Sequence, residues 1–183
     1  MNRVKILTTA FTYLLVFGIY LAFFAYPVHP ATANSSAYHE VESKKYSEFP
    51  SVFYRVYVRG STTPGILLVA TVRTPFLPHS TYSRILRAME GVIENETKER
   101  YRADIDLQYV DEVDAQIANR TVVMDYYTVH LKYQFNNFFN PTVVKLYFGA
   151  FFCNERYESV IVAYVVPPVF EGDFSGVMGS IGC

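Results

Sequence analysis

A chain of 183 residues, 51% hydrophobic and 18% charged, is long enough for one compact domain with a short appendage and too apolar for intrinsic disorder or coiled coil. Sixteen basic residues against 17 acidic ones give a net charge of -1. That balance lacks the positive surplus that binding a phosphate backbone needs, so no nucleic-acid partner is expected.

The first element is a leader. Arg3 and Lys5 precede a run from Ile6 to Tyr26 that carries no charge over 21 residues. At about 1.5 Å per residue a helix of that length crosses the roughly 30 Å hydrocarbon layer, and the positive-inside rule keeps its basic end in the cytoplasm. The remainder is then extracytoplasmic. Two outcomes follow from residues 1–33: a retained signal anchor, favoured by the full apolar length, or a signal peptide. Thr8, Thr9 and Thr12 leave a shorter pure run, Leu14 to Tyr26, and Ala31-Thr32-Ala33 offers signal peptidase a small-x-small site with cleavage after Ala33. Residues 1–33 contain only the two basic residues named and no acidic one, so the chain without them has 14 basic and 17 acidic residues, a net charge of -3.

Export agrees with two further features. Asn34, Asn95 and Asn119 head glycosylation sequons, whereas Pro141 bars the one at Asn140. Cys153 and Cys183 are the only cysteines, and in an oxidising compartment they pair. The alternative is one buried and one terminal thiol.

Residues 34–48 are polar without apolar periodicity and read as a tether to a domain over 49–183. Val52 to Arg59 alternates with period two, and the turn-forming stretch 60–65 leads into a second apolar strand, Ile66 to Thr74, which predicts an antiparallel hairpin. Pro75 and Pro78 stop it. Ser80 is placed to cap a helix whose apolar stripe is Tyr82, Ile85, Leu86, Met89 and Ile93, continuing on polar i,i+4 pairs to about Arg102, with Asn95 on its wet side. From Ile105 to Ile117 one apolar phase holds except at Asp111, and the length predicts a bulge near Asp111 and Glu112.

After a turn at Asn119-Arg120, Val123 to Phe135 alternates with one dry and one wet face. Val143 to Phe152 is apolar on both faces apart from Lys145, as a central strand covered twice should be. Tyr157 to Val166 is the last strand, and residues 167–183, with four glycines, read as coil that folds back over the second sheet face. The order β-β-α-β-β-β-β predicts an α+β domain with a mainly antiparallel sheet of about six strands and one amphipathic helix on it.

Local signatures of metal, nucleotide and dinucleotide sites are missing from the sequence, so no cofactor is expected. The acidic run Asp104, Asp106, Asp111, Glu112 and Asp114 has the wrong spacing for a calcium loop and reads as a solvated strand face. Phe138 and Phe139, flanked by asparagines, would be exposed at a hairpin tip and are a candidate contact loop for a partner or a membrane. The expected function is a non-enzymatic, exported binding or envelope-associated domain, membrane-tethered or secreted, with a protein or envelope partner. The rival is a small exported hydrolase whose groups converge only in three dimensions, from His130, Asp111 and His79.

Overall fold

The computed structural model describes residues 12–18, 28–46, 52–59, 65–73, 80–84, 87, 95, 98–99, 103–133, 142–167 and 173–183. They form a mostly antiparallel β-sheet domain with a few helices, of the α+β kind. Nine strands are described: β1 Thr32–Ala33, β2 Tyr38–Tyr46, β3 Val52–Arg59, β4 Ile66–Val72, β5 Ala103–Ile117, β6 Arg120–Tyr133, β7 Thr142–Cys153, β8 Glu158–Val166 and β9 Ile181–Gly182. A six-residue helix, α1, spans Phe174–Gly179. Residues 80–84, 87, 95, 98 and 99 are helical and lie between β4 and β5. Residues 12–18 are also helical. Among the described residues no helix is long and apolar enough to cross a membrane, and most of the span from Ile6 to Tyr26 lies outside them.

Seven strands make one sheet in the order β2-β3-β4-β8-β7-β6-β5. β2 to β4 zigzag outward from one edge, the chain crosses to the far edge, and β5 to β8 zigzag back until β8 meets β4. The six strands expected from the alternation are therefore present, and the doubly apolar β7 is internal, between β6 and β8.

Two expectations are corrected. Residues 38–46, expected as part of a tether, are edge strand β2, paired antiparallel with β3 from Tyr38↔Arg59 to Tyr46↔Val52. Their side chains gave no apolar period because an edge strand bonds its backbone on one side while residues 39–45 stand in solvent. The tail 167–183, expected as coil, contains α1 and β9. Its order is supplied by packing: Val177, Met178 and Ile181 are buried against the sheet.

The sheet has two covered faces. On one, the helical residues 80–84 dock through the Tyr82 hydroxyl, which donates to Ser159 Oγ at 2.9 Å. The other face carries the main core, in which Leu67, Val69, Met124, Tyr147, Val162 and Tyr164 meet α1 from above. Residues 28–33 form a strap on this same face. The Ala31 amide donates to Thr71 Oγ1 at 2.9 Å and the Ala33 amide to the Tyr57 hydroxyl at 3.1 Å. Val28, Ala31 and Ala33 are buried, and β1 pairs with β9.

Both sheet edges carry a bulge centred on an exposed valine. Val41 interrupts β2 between Glu40 and Glu42, and Val110 interrupts β5 between Tyr109 and Asp111. The bulge expected near Asp111 thus falls one residue earlier. Its effect is to invert the strand: Tyr109 lies opposite Tyr127, but Val113 lies opposite Met124, on the other face of β6. One sequence phase consequently serves both cores, and Asp111, just beyond the extra residue, shares the face of Val113 opposite Tyr126 but is exposed at the sheet edge. The two-residue turn into β6 places Ala118 and Asn119 at φ 49° and 60°, the left-handed pair that suits a right-twisted hairpin.

Candidate functional site

The two cysteines lie where the tail meets the sheet. Cys153 ends β7, Cys183 follows β9, and they are joined in a disulfide with Cα atoms 5.9 Å apart across a separation of 30 residues. Asn34, Asn95 and Asn119 are all exposed. Phe138, Phe139 and His79 lie outside the described residues.

His130 and Asp111 are not brought together. His130 is paired with Asp106 on β5 and Val143 on β7, whereas Asp111 stands opposite Tyr126. Four residues of β6 separate the two positions, about 13 Å at the usual rise of about 3.3 Å per residue. Asp106, Asp111, Glu112 and Asp114 are exposed along edge strand β5. Among the described residues no three His, Cys, Asp or Glu side chains converge as a metal site would require.

Sequence reasoning missed two buried acids. Glu158, the first residue of β8, is 1% exposed. Its Oε1 accepts from Arg73 Nη2 at 3.0 Å and from the His29 amide at 3.1 Å, with His29 Nδ1 at 3.4 Å. Oε2 is buried without a hydrogen-bond partner among the described residues. The arrangement joins the start of the strap to the end of β4 through one carboxylate, and the Arg73 guanidinium offsets the cost of taking that charge out of water. The one signal in the sequence is an acidic residue opening an otherwise apolar strand.

The second acid is Asp125, fully buried on β6 between Glu112 of β5 and Phe148 of β7. Beside it Tyr109 and Tyr127 meet edge to face at 5.6 Å, and the Arg87 guanidinium stands 4.7 Å from the centre of the Tyr109 ring. Partial burial, then the negative charges of Glu112 and Asp125, hold the Tyr109 phenol above its ordinary value, while Arg87 pulls the other way. At neutral pH this phenol is a hydrogen-bond donor and not a nucleophile.

The main core is built on a row of rings across neighbouring strands. Tyr126 stacks on Tyr147 at 5.1 Å, Tyr147 on Tyr164 at 6.1 Å, and Phe174 of α1 closes over Tyr147 at 4.4 Å. The Tyr164 hydroxyl is hydrogen-bonded to that of Tyr38 at 2.9 Å. Burial, followed by that bond, pushes the Tyr164 phenol far above its ordinary value. Arg59 of β3 pairs with Asp173, just ahead of α1. These contacts fix α1 on the sheet. An open polar depression of about 380 Å³ lies beside it, between Asn34, Ser35, Ser36 and Asp173.

Fold and side chains together define an α+β domain in which residues 28–33 pair with the tail over one face of an antiparallel sheet and a disulfide holds that tail to β7. No family model, no curated protein and no solved structure matches the chain.

Proposed function

We propose that this chain is an exported domain that remains at the outer surface of a membrane and works by binding a protein or envelope component. The observation that carries the reading is the Cys153–Cys183 disulfide, which fastens the tail to the sheet and persists in oxidising, extracytoplasmic compartments. The basic residues and uncharged run at the start of the chain supply the route of export.

The strap supports retention of the leader over cleavage after Ala33. Cleavage there would strip Val28, Ala31 and Ala33 from the core and leave β9 without its partner. Against the hydrolase reading stands the separation of His130 from Asp111, too great for a shared proton.

Protease added to intact cells tests the proposal. The domain should be degraded while the leader-bearing fragment sediments with membranes after an alkaline carbonate wash. Degradation only after lysis would overturn the topology, and a soluble, undigested domain in the medium would overturn the attachment.

A further inference from the structure

We infer that one particular end of the sheet lies against the lipid headgroups: the end that carries the Ala118–Asn119 turn and the turn at residues 154–157. This rests on the membrane-attached reading above. The uncharged run ends at Tyr26 and Val28 is already buried in the domain, so a single residue, Pro27, separates bilayer segment from core. Two trans peptide units span at most about 7 Å between Cα atoms. The point at which the strap enters the fold must therefore sit at the membrane surface.

That entry point is fixed by hydrogen bonds. His29 is bonded to Glu158, at the very start of β8, Ala31 to Thr71, and Ala33 to Tyr57, so the strap enters at the Glu158 end and runs away from it across the sheet. Cys153 is paired with Glu158, which puts the 154–157 turn at that end. Arg120 is placed there too, donating from Nη1 to the Phe152 carbonyl at 2.6 Å.

The chemistry of the end suits an anionic headgroup layer. Tyr157 is 73% exposed, the posture of an aromatic ring at a bilayer interface, and Arg156 and Arg120 are exposed beside it. Glu155 is the exposed acid of the same turn, and Glu158 is buried and paired with Arg73. At the opposite end Ile66 begins β4; it lies six residues before Val72, about 20 Å along the strand.

The chain contains no tryptophan, so a substituted one is a sole reporter. The full-length Y157W and I66W chains would be reconstituted in vesicles of equal parts phosphatidylcholine and phosphatidylglycerol bearing a headgroup nitroxide quencher. R156W serves as a second reporter if Y157W does not fold. Emission from Y157W or R156W should be blue-shifted and quenched several-fold more than that from I66W. A chain that sediments with vesicles but shows equal quenching at both ends, or stronger quenching for I66W, overturns the orientation alone. A chain that does not sediment overturns the attachment and the orientation with it.

Discussion

Thr32 and Gly182 are register partners, one residue short of the cysteine that ends the chain. The strap at residues 28–33 is thus hydrogen-bonded to the tail, and the tail is covalently held to β7. Loss of the disulfide should loosen strap and tail together.

By the chain-entropy model a loop of this length contributes about 3–4 kcal/mol. Cys183→Ser should lower stability by about that much and speed hydrogen exchange at the amides of Asn34 and Ser180, which are bonded within the clamp and its adjoining turn. Denaturation curves with and without reductant, read beside exchange mass spectrometry, check this. Unchanged exchange at Asn34 would mean that the strap does not depend on the bond.

A chain beginning at Asn34 would lack three buried side chains and the three hydrogen bonds that the amides of His29, Ala31 and Ala33 donate to the sheet. The lost burial alone is worth about 3 kcal/mol. Intact-mass measurement of the protein from its native compartment should find residues 28–33 attached, and the truncated chain should melt well below the longer one. Equal melting temperatures would reduce the strap to an ornament.

Among the described residues Arg73→Met leaves the buried Glu158 carboxylate with His29 as its remaining partner, so it should cost about 3–5 kcal/mol. The double variant Arg73→Met with Glu158→Gln removes the stranded charge and should recover a large part of the loss. Chemical denaturation of the two single variants and the double would measure this coupling, and additive losses would show that the pair does not interact.

Tyr164 gives a pH dependence. Its folded-state phenol is raised above the ordinary tyrosine value of about 10, so the native chain keeps a proton there that the unfolded chain releases. The contribution is complete below about pH 10 and is lost as pH rises further, by about 1.4 kcal/mol per unit. Phenolate absorbance should show Tyr164 ionising only as the fold is lost, and Tyr164→Phe should flatten the alkaline fall in stability. A Tyr164 that titrates in the folded domain would contradict the burial.

Phe138 and Phe139 fall between the end of β6 at Tyr133 and the start of β7 at Thr142, strand ends opposite the 154–157 turn. We propose that Phe138 and Phe139, which lie outside the described residues, contact a protein partner. Replacing both with serine should weaken association with that partner in a pull-down of the full chain while leaving the melting temperature unchanged. A large drop in thermal stability would show them to be core.

The sequence by itself determined the elements whose side chains must sort between apolar and wet surroundings. Alternation in Val52 to Arg59 marks a strand, continuous apolarity in Val143 to Phe152 marks an internal one, and two lone cysteines have each other to pair with, all legible without knowing any neighbour. Tertiary structure alone decided the rest, because there the stabilising partner is remote. β2 is a strand only because β3 offers it hydrogen bonds, α1 is ordered by the ring of Tyr147 beneath Phe174, and Glu158 can be buried because Arg73, 85 residues away, meets it. The same holds for Val110, whose single extra residue sends one alternating phase to two different cores. A period along the chain records which face a residue would take in an unbroken ladder, and only the pairing with β6 shows where the ladder slips.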